Sequence, residues 1–143
     1  VLDAGLSLPP TARLFIDPAP VVVFTANTDA ARRAALAARG ARIEQVPASA
    51  DGLDLPRILG RLGELACNEV LVESGPRLAG ALLRAGLVDE LVSYVAPRLL
   101  GAGARGAFAW PDLEALAQSP ALEFVDVRRI GDDLRIVARP VPA

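Results

Sequence analysis

A carboxylate followed at once by serine, glycine and proline is the most chemically suggestive spacing in this chain. In Glu73-Ser74-Gly75-Pro76 the acid can orient or hydrogen-bond a substrate. The next three residues can open a helix whose first-turn N–H groups have no intrahelical partners. Such amides, backed by the positive end of the helix dipole, bind phosphate. Gly75 lets an anion approach the backbone, and Pro76 suits the first helical position, where an N–H is not missed. Arg77 can add charge to a phosphate. Leu78, Ala79, Gly80 and Ala81 continue with small residues that favour close approach by a ligand or by the protein itself. The same residues are equally compatible with an ordinary strand-to-helix connection, with Arg77 solvated and Glu73 exposed or ion-paired.

Such a turn works only if a strand and a helix hold it. Val70-Leu71-Val72 reads as a buried strand over 69–73, and 76–85 as a helix closed by Gly86. Glu73 then stands at a strand's carboxyl end, where ligands of open α/β sheets lie. The rest of the chain alternates in the same way. Residues 1–3 read as a strand remnant, 21–25 as a short strand, and 17–20 and 49–54 as loops. Asn27-Thr28-Asp29 caps a helix over 30–39, with Gly40 at C′. A strand follows at 41–46, and Asp54 caps a helix from 54 to 66 with Pro56 early in it. A strand at 91–95, a glycine-rich loop at 101–106 and a short helix at 111–117 come next. Residues 122–128 and 133–139 alternate around Gly131-Asp132 as an antiparallel hairpin. The expected fold is α/β, with a mostly parallel central sheet flanked by helices and a C-terminal antiparallel hairpin.

Composition narrows the chemistry. The 143 residues include no His, no Lys and no Met, and one cysteine, Cys67. That excludes a Ser-His-Asp triad, an internal disulfide and the usual zinc sites within the chain, so no metal is expected. The formal charge of -2 and pI near 5.1 argue against a nucleic-acid partner. No apolar run spans a membrane, so the 52% hydrophobic content is assigned to a core or an interface, with Cys67 in the core. A cytoplasmic setting is expected. A chain that starts at Val1 is expected to be processed or cut from something longer.

Several other motifs read as structural. Gly101-Ala102-Gly103-Ala104-Arg105-Gly106 matches G-x-G-x-x-G literally, but Pro97 and Pro111 deny it the adjoining strand and long helix of a dinucleotide fingerprint. Asp89-Glu90 and Asp132-Asp133 are read as capping and turn residues. Asp3 is read as a turn-initiating residue at the end of the first strand.

The stretch VESGPRLAGALLRAGLVDELVSYVAPRLLGAGARGAF resembles the C-terminal reductase domain of the bacterial bifunctional riboflavin-biosynthesis deaminase/reductase. The likeness is dense over 69–108 and weaker at Val1-Leu2-Asp3 and in the final hairpin. It implies a dihydrofolate-reductase-like fold and NADPH as cofactor. It implies reduction of the ribosyl group of 5-amino-6-(5-phosphoribosylamino)uracil, a phosphorylated aminopyrimidine, to the ribityl form. By the resemblance Gly75, Pro76, Arg77, Leu78, Ala79, Gly80 and Ala81 hold the cofactor phosphates and Glu73 contacts the substrate. Ala4 stands where the family often places a serine that touches NADPH, so its contact is through the backbone. Thr25 is a weaker candidate for the cofactor edge. The resemblance also places the family's S-x-D-G substrate loop upstream of this stretch. Residues 1–143 are therefore expected to be a partial reductase domain, inactive alone, with no proton donor to name. Two alternatives stay open: a same-fold reductase acting on a pterin-like substrate, and a non-catalytic, self-associating fragment. A homo-oligomer, specifically a homodimer, is expected.

Overall fold

The computed structural model describes residues 1–17, 19–50 and 52–141. Pro18 and Asp51, read from sequence into the loops 17–20 and 49–54, lie outside the described residues. The chain divides into two compact units, Val1–Val70 and Leu71–Ala143.

The first unit is built on parallel pairing. Strand β1 (Val22–Thr25) runs parallel to β2 (Arg42–Gln45), with Val23 opposite Ile43. Leu2 forms a parallel bridge to Phe24, fixed by Asp3 N–H donating to the Phe24 carbonyl at 3.0 Å and Phe24 N–H to the Val1 carbonyl at 2.9 Å. Helix α1 (Ala30–Ala37) crosses between the strands. The Asp29 carboxylate accepts from the N–H groups of Ala31 and Arg32 at 2.9 and 3.1 Å, satisfying two otherwise orphaned donors. At its other end Gly40, at φ +85°, donates to the Ala37 carbonyl while Ala41 donates to Leu36. This is a Schellman closure with glycine at C′, as expected.

Leu36 packs with Leu6, Val23 and Ala41, and Leu8, Phe15, Val21 and Ile43 close around them. Full burial of a Leu or Val side chain, as at Leu6, Val23 and Leu36, stabilises by about 1.5–3 kcal/mol. A two-strand hairpin that the sequence did not announce, β3 (Ala48–Ser49) with β4 (Gly52–Leu53), leads into α2 (Leu55–Glu64). Asp54 caps α2 by accepting from Arg57 N–H at 3.0 Å, and Leu55 and Ile58 face inward. The fork of Arg61 grips Glu44 of β2 through Nε at 3.1 Å and Nη2 at 3.0 Å, and reaches Glu64 at 2.6 Å. These bonds outweigh burial and hold the Glu44 carboxyl below its ordinary pKa, with Arg42 adding to the pull. They tie helix to strand at a partly exposed site, where such pairs contribute modestly.

The second unit carries α3 (Pro76–Arg84) and an antiparallel sheet in the order β5-β7-β6. Strand β5 is Leu91–Val95, β6 is Leu122–Ile130 and β7 is Asp133–Pro140. The hairpin turns at Gly131-Asp132. Gly131 has φ +60° and Asp132 has no positive φ, the signature of a type II′ turn with glycine first. A register shift between Phe124 and Asp126 marks a bulge. Tyr94, Phe124 and Val127 remain exposed on this sheet.

Four expectations are corrected. Residues 69–73 form no strand, and Leu71 is 82% exposed. A strand exists only within a ladder, and no described strand pairs with this run, so β-propensity alone does not make one. The described strands form three separate sheets and are not mostly parallel: β5 and β6 both pair antiparallel with β7, and parallel pairing among the described residues is confined to the first unit. Cys67 is exposed rather than core. The helix expected at 111–117 is only a 3-10 turn at Leu116–Gln118.

Candidate functional site

The sequence-derived site lies at the start of α3. Gly75 is its N-cap, with φ −77° and ψ 172°, and no side chain caps the helix. Helices α1 and α2 are both capped by aspartate, so α3 differs from them in having no side-chain cap. Pro76 sits at the helix start as expected. A side chain added at Gly75 would meet nothing within 4 Å. Glu73, Ser74, Gly75 and Arg77 are exposed, while Pro76, Leu78 and Ala79 are half-buried. Glu73 has no ion-pair partner among the described residues, and it leads into the helix from an unpaired segment rather than from a strand.

Gly80 and Ala81 are buried, with Leu82, on the inner face of α3. The segment they pack near is part of the protein. Ala109 N–H donates to the Pro76 carbonyl at 2.8 Å, and the Ala109 backbone lies where a Cβ of Gly80 would stand. Arg84 Nη1 donates to the Ala109 carbonyl at 2.7 Å, and its guanidinium lies 5.9 Å from the centre of the Trp110 ring. Of the two readings left open for the small residues, approach by the protein itself accounts for Gly80.

In the first unit the loop after Asp3 is braced from several sides. Asp3 Oδ1 accepts from Ser7 Oγ at 3.1 Å and Oδ2 from Leu8 N–H at 2.7 Å, the turn-initiating role expected of it. The Ala4 carbonyl accepts from Thr25 Oγ1 at 3.2 Å. The Gly5 carbonyl accepts from Asn27 Nδ2 at 2.9 Å and Arg32 Nη1 at 3.2 Å. Ala4 itself is exposed, and Thr25 is fully buried. Thr25 thus spends its hydroxyl on the backbone of the neighbouring loop. Sequence reasoning missed Asn27 and Arg32 as braces. Their partner is a carbonyl more than twenty residues upstream, which no local pattern announces.

Two open crevices flank these elements within the first unit. One of about 440 Å³ lies between loop 6–10 and α1. The other, about 460 Å³, lies beyond the carboxyl ends of β1 and β2, between Ala26, Gln45–Ala48 and Arg57.

The remaining motifs behave structurally. Loop 101–106 is exposed and follows no strand directly. Glu90 pairs with Arg139 at 3.3 Å and Asp132 with Arg129 at 3.2 Å. Among the described residues no helix is long and apolar enough to cross a membrane.

The profile of the family described as "RibD C-terminal domain" matches residues 1–136. The riboflavin biosynthesis protein RibD of Escherichia coli K12 is 48% identical over 89 residues, covering 62% of this chain and 24% of that protein. A protein of Buchnera aphidicola (from Acyrthosiphon pisum) named 5-amino-6-(5-phosphoribosylamino)uracil reductase is 34% identical over 83 residues, covering 58% of this chain and 40% of that one. The structure of Acinetobacter baumannii RibD superposes with a TM-score of 0.84 at 33% identity, covering 98% of this chain and 36% of that one. The chain therefore spans well under half the length of these relatives. The α/β, dihydrofolate-reductase-like fold class expected from sequence is borne out by the structural match.

Proposed function

The chain belongs to the RibD C-terminal domain family, and on that premise we propose that it is part of an NADPH-dependent reductase of riboflavin biosynthesis. The substrate would be 5-amino-6-(5-phosphoribosylamino)uracil, whose ribosyl group becomes ribityl. The observation that carries this reading is the combination of the family match with a reductase relative named for that substrate.

The fit to a dinucleotide rests on the start of α3. An uncapped helix N-terminus with open space at Gly75 suits a phosphate. The amides of Arg77 and Leu78 would donate to phosphate oxygens, and the Arg77 guanidinium would add charge. Pro76 and Ala79 flank that contact. Gly80 and Ala81 would act from behind, by keeping the helix close to the Ala109 segment. Within the first unit, taken by itself, the exposed Ala4 is proposed as a separate cofactor contact through its backbone, its carbonyl being held by Thr25. Glu73 would orient the substrate by accepting from its amine or a sugar hydroxyl. When bound, the cofactor supplies the hydride, and the protein supplies binding and orientation.

The test is Gly75→Glu in the full-length protein. The site has ordinary φ and free space, so the variant should fold. It puts a bulky anion where the phosphate would sit, and NADPH binding by calorimetry should be lost. Unchanged affinity in a folded variant would refute the assignment.

A further inference from the structure

We infer that Arg84 is a positioning residue for the turn at the start of α3: through the backbone of Ala109 it fixes the direction in which the Arg77 amide leaves the helix. The inference rests on the dinucleotide reading above and adds to it a residue outside the turn that sets the turn's geometry.

The Pro76 carbonyl and the Arg77 N–H belong to one peptide unit, which is trans and planar. In such a unit the two groups point in opposite directions, so a bond that holds the carbonyl also aims the amide. Ala109 N–H donates to the Pro76 carbonyl at 2.8 Å. That bond therefore sets the line along which the Arg77 N–H projects from a helix start that no side chain caps. It also polarises the unit, because a carbonyl that accepts a hydrogen bond makes the N–H it is conjugated to a better donor.

Ala109 needs support of its own. It lies in the long connection between β5 and β6, residues 96–121, whose one regular piece is the 3-10 turn at Leu116–Gln118. A connection of that length keeps a single conformation only where other elements hold it. Arg84, the last residue of α3, donates from Nη1 to the Ala109 carbonyl at 2.7 Å. The same guanidinium stands 5.9 Å from the centre of the Trp110 ring, within cation–π range. One side chain thus grips two consecutive residues of the connection. Gly80 permits the approach, since the Ala109 backbone occupies the place a Cβ would take. Helical side chains lean toward the N-terminus, so Arg84 reaches back along α3 to the residue that also bonds its first turn. Arg84 stands at the opposite end of the helix from that turn, and its effect on an anion there passes through Ala109 and Pro76.

The test uses the full-length protein and two variants. Arg84→Met keeps the apolar stem and removes the donors, and Arg84→Lys keeps a cationic donor. NADPH binding by calorimetry should weaken about fivefold in Arg84→Met, the worth of one net hydrogen bond, and should recover at least in part in Arg84→Lys. In turnover, KM for NADPH should rise in Arg84→Met with kcat unchanged, the pattern of lost cofactor binding rather than lost chemistry. Emission from Trp110, the only tryptophan, should shift in Arg84→Met without cofactor as the segment moves. A role confined to stability would lower Tm and leave the affinity of the folded variant unchanged, and that result would overturn the inference. Loss of NADPH binding in Gly75→Glu with none in Arg84→Met would strike this inference alone. Retained binding in Gly75→Glu would bring down the reading beneath it.

Discussion

Gly80 of α3 lies directly against the backbone of Ala109, so close that a methyl group on its α carbon would overlap the Ala109 carbonyl oxygen. That carbonyl is held in place by Arg84 at 2.7 Å, and the Ala109 N–H is held by Pro76 at 2.8 Å. The segment before Pro111 is therefore latched to the helix that begins at the candidate phosphate turn.

Gly80→Ala should break this latch. The clash is with backbone, which cannot swing aside as a side chain could, so the cost should be about 1–3 kcal/mol in urea unfolding. Trp110 is the only tryptophan and adjoins the displaced residue, so its emission should shift as the segment lifts. An unchanged midpoint together with unchanged emission would show that the latch does not bear on α3.

Ala66→Gly should do the opposite. Ala66 has φ +62°, and the Schellman closure of α2 imposes it: Ala66 N–H donates to Gly63 and Cys67 N–H to Leu62. A left-handed alanine costs about 1–2 kcal/mol, part of which the extra freedom of unfolded glycine offsets. A gain of about 0.5–1 kcal/mol is expected, and thermal unfolding would register it as a raised Tm. A lowered Tm would mean that the alanine conformation is not strained.

The stability of the first unit should depend on pH through Asp3. Burial pushes its carboxyl up, but the bonds from Ser7 and Leu8 outweigh that and hold it below its ordinary value. A carboxylate depressed in the folded state contributes stability that is complete above the unfolded pKa of about 4 and is lost as pH falls through the folded value. Tm should therefore drop on acidification from neutral pH to about pH 3, and Asp3→Asn should flatten part of that drop while lowering Tm at neutral pH. An Asp3→Asn profile that runs parallel to the parent would contradict this.

The readable parts of this protein are those whose determinants lie within a few residues of one another. Asp29 and Asp54 cap the helices they precede, Gly40 and Gly86 close the helices they follow, and Gly131-Asp132 makes the hairpin turn. Asp3 initiates its turn as expected. Each rests on an orphaned amide or a positive φ, and a local sequence contains both donor and acceptor. At the candidate site the same logic located the Gly75-Pro76 helix start.

The sequence alone therefore determined the starts of α1, α2 and α3, the glycine closures of α1 and α3, the hairpin turn at Gly131-Asp132, and the family, because short-range hydrogen bonding and a dense motif carry that information. Tertiary structure alone decided which extended runs became strands, which small residues touch other backbone, and which charges stay without acids. Val70-Leu71-Val72 has strand propensity without a ladder partner, and Cys67 lies on a surface that composition assigned to the core. Gly80 meets Ala109, and Arg61 rather than Arg57 takes Glu44. Pairing and burial are settled between segments far apart in the chain, and a residue's own neighbours in sequence do not encode the surface it will meet.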